Sequence, residues 1–87
     1  MDNKNLSLEG LIFEAIELSV VNNIMCITLN RPEKKNAINP VMANEIIYSL
    51  AFAAQERDIR VVVIKANGDV FCAGGDLGTM SGKSSES

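Results

Sequence analysis

The segment best suited to chemistry is residues 67–77, which read NGDVFCAGGDL. A turn at Asn67–Gly68 follows an apolar run, and two consecutive glycines, Gly74 and Gly75, precede Asp76. Glycine lacks a Cβ atom, so its backbone adopts unusual angles and can approach a ligand closely. If a helix begins at Asp76, the amides around Gly75 point outward, unpaired, at the positive end of the helix dipole. Such amides stabilise a phosphate, or an oxyanion that forms on a carbonyl group.

Two glycines after a strand are weak evidence by themselves, because an ordinary tight turn with Asp76 as helix N-cap explains the same letters. The pattern is neither a GxGxxG dinucleotide fingerprint nor a P-loop. Asp76 is interpreted as a helix cap in preference to a general base.

The side chains that the sequence lacks exclude several kinds of site. Histidine is absent, which excludes a Ser–His or Cys–His nucleophile pair and any His-ligated metal within this chain. Cys26 and Cys72 form neither a CxxC pair nor a zinc pattern, and we predict no metal site. Both are interpreted as reduced, mostly buried thiols, and Cys72 as a packing residue because no basic neighbour is visible to activate it.

Composition restricts the class of protein further. Of the 87 residues, 47% are apolar and 22% charged, which is typical of a globular protein. A net charge of −3 with no basic block argues against nucleic acid or an anionic membrane as a partner. No apolar run approaches the ~20 residues that a membrane span needs. Residues 1–10 carry charges and lack an apolar stretch, so a cytoplasmic protein without a signal peptide is expected.

A β-hairpin should open the fold. Residues 11–21 (LIFEAIELSVV) alternate imperfectly, as a strand does, and residues 24–29 (IMCITL) are nearly all apolar, as in a strand covered on both faces. Asn22 and Asn23 between them supply a turn, since asparagine tolerates left-handed backbone angles. The pattern predicts two antiparallel strands.

A helix should follow the polar loop at residues 30–39. Asn39 is the expected N-cap and Pro40 the first helical residue, and the helix should run to about Arg57. The predicted apolar face comprises Ala43, Ile46, Ile47, Leu50 and Ala54.

Three further side chains of this helix have a predicted environment. Met42 is expected to fill the core. Glu45 and Glu56 fall on the polar side and are expected to be solvated.

A second, parallel pairing completes the predicted sheet. Residues 61–66 (VVVIKA) are a short β-branched run, best explained as a buried parallel strand reached by a right-handed helical crossover. The resulting β-β-α-β order defines an α/β fold with a helix on one face of its sheet. Nothing in the sequence covers the other face, so the chain is expected to be part of a larger fold.

Two motifs together resemble the enoyl-CoA hydratase/isomerase (crotonase) superfamily. They are ITLNRPEKKNAIN at 27–39 and VVVIKANGDVFCAGGDL at 61–77, in the family's order and spacing, and the resemblance covers roughly residues 12–80. It implies the start of a ClpP/crotonase-type fold, the N-terminal part of a larger repeated ββα spiral. It also implies lyase or isomerase chemistry on an acyl-CoA thioester, with coenzyme A entering as part of the substrate and no separate cofactor.

The resemblance implies a set of site residues. In the family, two backbone amides hold the enolate oxygen of the thioester, and the residue that matches one donor is Gly75. The residues that match the substrate-binding segments are Lys35, Ala37, Ala73, Asp76 and Leu77. Lys34 or Lys35 could also attract the phosphates of coenzyme A, although a solvated loop charge explains either lysine equally well.

The resemblance also indicates what lies outside these segments. In the family the second oxyanion amide, the carboxylates that move protons and the helices that build a trimer or hexamer all follow Leu77. The chain alone is therefore expected to be inactive, and its parent to be a homo-oligomer. The alternatives are a non-catalytic acyl-CoA or partner-binding protein, or a structural piece that binds nothing.

The predicted organisation has three parts. Residues 1–10 form a flexible N-terminus, residues 11–80 the N-terminal part of a crotonase-like domain, and residues 81–87 (SGKSSES) a disordered tail or truncated end. Exposed sheet edges and a half-covered core predict that the chain associates with itself or aggregates.

Overall fold

A computed structural model describes residues 6–75 of the chain. In order along the chain, the elements are strand β1 (Ile16–Val21), strand β2 (Ile24–Leu29), a 3-10 turn (Pro32–Lys34), helix α1 (Pro40–Gln55) and strand β3 (Val61–Ala66). The predicted α/β fold with a β-β-α-β order is therefore confirmed. Of the segment predicted to be flexible, residues 1–10, the first five lie outside the described residues, as does the predicted tail at residues 81–87. Within the described part, the amide and the carbonyl of Leu6 are both hydrogen-bonded to the side chain of Gln55 on α1.

The hairpin joins β1 and β2 as the sequence predicts. The strands are antiparallel, with Val21 opposite Ile24, and the connection is the two residues Asn22 and Asn23. Their φ angles are 52° and 72°, so both residues occupy the left-handed region. Positive φ at both loop residues is what a two-residue hairpin of the right-handed sheet twist requires. The two asparagines thus fix the register of the strands.

β1 begins later than the sequence predicts. The strand was expected over residues 11–21, but its pairing starts only at Ile16, which lies opposite the last residue of β2. The amides of Glu14 and Ala15 instead donate to the carboxylate of Glu45, at 2.6 and 2.8 Å. Because a side chain binds those amides, the ladder does not continue beyond Ile16, and a single backbone bond from the amide of Asn30 to the carbonyl of Ala15, at 2.8 Å, closes it.

Glu45 is therefore not the solvated side chain that we expected. It lies on α1, is half-buried and accepts two backbone hydrogen bonds from the segment before β1. A carboxylate with two amide donors is a charge-assisted contact, stronger than a neutral pair. In the sequence, a glutamate on a helix is compatible both with a solvated side chain and with one that binds backbone amides. Only the position of the segment before β1 decides between these two roles.

α1 starts where the sequence predicts. The side chain of Asn39 accepts a hydrogen bond of 2.8 Å from the amide of Met42, and Pro40 is the first helical residue. The helix ends at Gln55, two residues before the predicted Arg57, with the next amide bonded to the carbonyl of Ala53. The N-cap was readable because its signal is local, whereas no glycine or proline marks the end.

The buried face of α1 differs from the predicted one. Ile47 is 63% and Leu50 42% exposed, and Ala54 is exposed as well. The side of the helix that packs on the core includes Ile46, as predicted, but its other members are Met42, Ser49, Phe52 and Ala53. Ser49 is fully buried because its hydroxyl donates to the carbonyl of Glu45 one turn earlier, at 2.8 Å. A hydrophobic pattern in which serine counts as a polar residue does not identify this face of the helix.

The core lies between α1 and one face of the sheet. β2 is the central strand, antiparallel to β1 and parallel to β3, which confirms the predicted pairing. Met25, Ile27 and Leu29 alternate along β2 and are buried against the helix, where Met42 fills the core as expected. No element within residues 6–75 covers the opposite face, so Val21, Ile24 and Val61 remain exposed there. β3 is therefore not the buried strand that we expected, and β2 is covered on one face only.

Candidate functional site

β2 and β3 end at the same edge of the sheet, and a loop follows each. We call residues 30–39 the first loop and residues 67–75 the second loop. Parallel pairing of β2 with β3 carries both loops to the carboxyl ends of the strands, which is where open α/β sheets bind ligands. The fold therefore brings together the two motifs that the sequence singles out.

Two backbone hydrogen bonds join the loops directly. The amide of Ala73 donates to the carbonyl of Lys35 at 3.0 Å, and the amide of Ile38 donates to the carbonyl of Gly74 at 2.8 Å. The second bond forms an isolated parallel bridge between Ile38 and Gly75. Lys35 and Ala73, predicted from separate motifs, are thus placed side by side.

The first loop reverses its direction through two consecutive left-handed residues. After the 3-10 turn, Lys35 and Asn36 have φ angles of 53° and 56°. Asparagine tolerates this region, whereas for lysine it costs about 1–2 kcal/mol, which the surrounding bonds must offset. Lys34 and Lys35 keep their side chains exposed. Their ammonium groups are therefore accessible to an anionic ligand.

Asn36 is a buried polar residue of the first loop that the sequence analysis missed. It is fully buried, and its carboxamide accepts a hydrogen bond from the amide of Arg31 and donates to the carbonyls of Asn67 and Val70. An asparagine that follows two lysines in a polar loop looks like a solvated residue. The signal that could have found it is its place inside the first motif, next to a small residue, where no exposed role explains it.

Ala37 has its backbone occupied within the first loop. Its amide donates to the carbonyl of Lys34 at 3.0 Å, and its carbonyl accepts from the guanidinium of Arg31 at 2.5 Å. These contacts show that the loop backbone around it is held firmly.

Gly68 allows the second loop to pass close to the first. Its φ angle is +89°, and a Cβ atom placed on it would lie 2.9 Å from the Cβ atom of Pro32. Such a distance is far inside van der Waals contact, so no side chain fits without movement of one loop. The sequence therefore requires glycine here for packing as well as for the turn.

The peptide group between Gly74 and Gly75 has a fixed orientation. The carbonyl of Gly74 points at Ile38, and the described chain contains no cis peptide bond. In a planar trans peptide the N–H points opposite to the C=O, so the amide of Gly75 is directed away from the first loop. Within residues 6–75 this amide has no hydrogen-bond acceptor.

Gly74 itself is held in an angle that favours glycine. Its φ is +97°, and its own amide donates to the sulfur of Cys72 at 3.4 Å. Cys72 also packs against the core, in line with its predicted packing role, and Cys26 is likewise a half-buried free thiol. The second loop is thus held by hydrogen bonds at Ala73 and at Gly74.

The remaining predicted site residues fall outside this description. Asp76 and Leu77, and the helix expected to begin at Asp76, lie beyond the described residues. Gly75 and Ala73 are exposed at the sheet edge. Over residues 6–75 the surface has no closed pocket and no group of acidic, cysteine or histidine side chains that could hold a metal ion. No helix in that part of the chain is long and apolar enough to cross a membrane.

Comparison with known proteins finds relatives over most of the chain. The family model for enoyl-CoA hydratase/isomerase matches residues 19–87. A trans-2-decenoyl-[acyl-carrier-protein] isomerase of Streptococcus mutans is 38% identical over 65 residues, which cover 75% of this chain and 25% of that protein. The human enoyl-CoA delta isomerase 2 is 40% identical over 65 residues, covering 75% of this chain and 16% of that protein.

Solved structures share the fold as well. An enoyl-CoA hydratase from Mycobacterium tuberculosis superposes with a TM-score of 0.75 at 31% identity, covering 80% of this chain and 32% of that one. One described as a probable enoyl-CoA hydratase, from Mycobacterium thermoresistibile, has a TM-score of 0.69 at 45% identity, covering 71% and 25%.

The chain belongs to the enoyl-CoA hydratase/isomerase family, and its fold is the start of the crotonase fold. It spans only 16 to 27% of the length of the curated relatives that it matches.

Proposed function

We propose that this chain supplies the acyl-thioester-binding part of an enoyl-CoA hydratase/isomerase and that the Gly75 amide stabilises the thioester oxygen as it becomes negative. The observation that carries the proposal is the orientation of the Gly74–Gly75 peptide. Its carbonyl is held by Ile38, and its N–H is directed away with no acceptor among residues 6–75.

The chemistry that such an amide performs is electrostatic. When a base removes a proton next to a thioester carbonyl, or water adds to its conjugated double bond, negative charge collects on the carbonyl oxygen. A preorganised N–H aimed at that oxygen needs no rearrangement during the reaction, and one such donor is worth ~2.7–4 kcal/mol of transition-state stabilisation. The hydrogen bonds between the two loops provide the preorganisation.

The substrate class follows from the relatives. One is named for an enoyl group on coenzyme A and another for a decenoyl group on acyl carrier protein. An unsaturated acyl thioester is common to both, and we assign that class to the site, with acyl-CoA as the substrate of this chain. Lys35, Ala37 and Ala73, with Asp76 and Leu77, would line the binding segments, and the exposed ammonium groups of Lys34 and Lys35 would attract the phosphates of coenzyme A.

The activity of the whole protein is part of the same proposal. A second oxyanion amide and the proton-transferring carboxylates would come from sequence that corresponds to the rest of the relatives. General acid–base catalysis typically contributes ~10²–10⁴-fold, so the 87-residue chain alone should bind but not turn over. The whole enzyme would be a cytoplasmic homo-oligomer, a trimer or hexamer, of the lyase or isomerase type.

The test is a titration of the ¹⁵N-labelled chain with crotonyl-CoA, with coenzyme A as the control that lacks the thioester carbonyl. We expect the Gly75 amide resonance to shift with crotonyl-CoA and not with coenzyme A, while first-loop resonances shift with both. Shifts confined to the first loop would favour the non-catalytic binding protein. No shift at millimolar ligand, with the chain folded, would reject both.

A matched pair of variants isolates the amide itself. Gly75→Ala keeps the N–H and Gly75→Pro removes it, while both add a side chain. The carbonyl of bound crotonyl-CoA should be polarised by the alanine variant and not by the proline variant, which infrared spectroscopy of the carbonyl stretch measures. Equal spectra from the two variants would contradict a role for this amide.

A further inference from the structure

The carboxamide of Asn36 connects the two loops through the interior of the protein. The side chain is fully buried, and its oxygen accepts from the amide of Arg31 at 2.7 Å. Its nitrogen donates to the carbonyls of Asn67 and Val70 at 2.7 and 2.8 Å. Both donor hydrogens of the nitrogen are therefore used on the second loop. A buried polar group with all its donors satisfied specifies one arrangement of its surroundings.

The backbone angle of Asn36 is what turns this side chain inward. Its φ of 56° follows the left-handed Lys35, whose carbonyl receives the amide of Ala73. Asparagine, aspartate and glycine tolerate such an angle best among the amino acids. The same chain reversal thus places two kinds of hydrogen bond on the second loop, one set from the side chain of Asn36 and one from the backbone carbonyl of Lys35.

The position of Asn36 is linked to the glycine pair through Ile38. Ile38 follows Asn36 by two residues, and its amide holds the carbonyl of Gly74. Because the peptide group is planar, the direction of that carbonyl sets the direction of the Gly75 N–H. If the second loop could shift by a fraction of an ångström relative to the first, the Gly75 N–H would no longer have a fixed direction.

We propose that Asn36 is a positioning residue, whose buried carboxamide locks the second loop to the first and thereby aims the Gly75 amide. It touches neither the amide nor any substrate, and it acts through Ile38 and Gly74. The inference rests on the proposed function of Gly75 for its catalytic meaning, but the mechanical coupling of the loops can be measured without any ligand.

Two variants separate the bonds that Asn36 makes. Asn36→Asp keeps the shape, tolerates the left-handed angle and keeps the acceptor for Arg31, but it places oxygen where the two bridging N–H groups were. Asn36→Gly keeps the backbone angle and removes the side chain altogether. Ser49→Ala is the matched control, because Ser49 is equally buried and its hydrogen bond lies within α1.

Amide hydrogen exchange is the measurement. In both Asn36 variants we expect the Ile38 and Ala73 amides to exchange about tenfold faster or more, relative to the amides of β2 and β3, which keep their wild-type rates. Ser49→Ala should show no such difference between loop and sheet. Unchanged rates at Ile38 and Ala73, or an equal acceleration at every amide, would overturn the positioning role.

The wild-type chain provides the test if the variants do not fold. The side-chain amide protons of Asn36 should be protected and should open together with the Ile38 and Ala73 amides as one unit. Exchange at the rate of a free carboxamide would overturn the proposal.

The titration with crotonyl-CoA distinguishes the positioning role of Asn36 from the proposed oxyanion-binding role of Gly75. If Gly75 responds to crotonyl-CoA in the wild type, the response should be lost in Asn36→Asp and kept in Ser49→Ala. A retained response in Asn36→Asp would overturn the inference. If the wild type itself does not respond, the proposed function fails, while the exchange data still decide whether Asn36 couples the loops.

Discussion

The amide of Ile38 lies 2.8 Å from the carbonyl oxygen of Gly74, and this contact orients the glycine pair. The bond spans two loops that leave parallel strands at the same edge of the sheet. It fixes one peptide plane and leaves the next N–H directed outward. The sites of the two family motifs are thus coupled by main-chain atoms, which substitutions of surface side chains do not remove.

Gly74→Ala should disable the loop while changing the global stability only modestly. A Cβ atom on Gly74 meets nothing within 4 Å, so the cost is the strain of an alanine at φ +97°, about 1–2 kcal/mol or more. The loop should relax by giving up the Ile38 bond. We expect the crotonyl-CoA response of Gly75 to disappear, measured by the NMR titration.

Gly10→Ala is the control for that strain. Gly10 has φ +78° and also has open space around its Cβ position, but it lies in the N-terminal segment. Its unfolding free energy in urea should fall by a similar amount while the response to crotonyl-CoA persists. Equal loss of response in both variants would show that general destabilisation is responsible.

Gly68→Ala should be more destabilising than Gly74→Ala. Besides its φ of +89°, the new Cβ would sit 2.9 Å from the Cβ atom of Pro32. Overpacking of this kind typically costs 1–3 kcal/mol, roughly, in addition to the backbone strain. Urea unfolding measures the sum.

Removing the Cβ atom of Pro32 should recover the steric part of the lost unfolding free energy and leave the backbone strain. In the double variant Gly68→Ala with Pro32→Gly, a coupling of about 1 kcal/mol or more is expected, because the two residues are in contact. Strict additivity of the two single changes would contradict the close approach.

Asn39→Ala should weaken α1 by about 1 kcal/mol, because the Asn39 side chain accepts the 2.8 Å bond from the Met42 amide at the helix start. Asn44→Ala on the exposed side of the same helix is the control, with a change within ~0.5 kcal/mol. Urea unfolding followed by circular dichroism compares them. A cost for Asn44→Ala as large as that for Asn39→Ala would remove the capping explanation.

Self-association should proceed through β3. This strand is at the end of the sheet order, and its Val61 and Ile64 are 50% and 44% exposed. An edge with unpaired backbone groups and β-branched side chains is a template for another strand. Val61→Lys should therefore lower the apparent mass at high concentration in sedimentation velocity.

A valine away from the edge tests this assignment. Val41, on α1, has 39% exposure, and Val41→Lys adds the same charge. It should leave the association nearly unchanged. If both variants dissociate the assembly equally, net charge and not the β3 edge controls it.

Local signals in the sequence predicted most of the fold. The asparagine pair, the Asn39–Pro40 start of α1 and the β-branched run of β3 each depend on neighbours only a few residues away, and the structure confirms all three elements. The predicted burial of β3 was wrong, because burial depends on elements that pack on the strand from elsewhere. The start of β1 and most of the buried face of α1, apart from Ile46, were predicted wrongly. Both depend on Glu45 and Ser49, polar residues whose partners make them compatible with burial.

The candidate site divides in the same way. The sequence by itself determined the family motifs, and parallel strands then had to bring the two loops to one edge. Only the tertiary structure decided that Asn36 turns inward to the second loop, through bonds that span 31 and 34 residues. A hydrogen bond across that separation exists only when the whole sheet is assembled, because the entropy of closing so long a loop must be offset by packing elsewhere. The direction of the Gly75 N–H is therefore a property of the assembled fold, while the presence of glycine there is a property of the sequence.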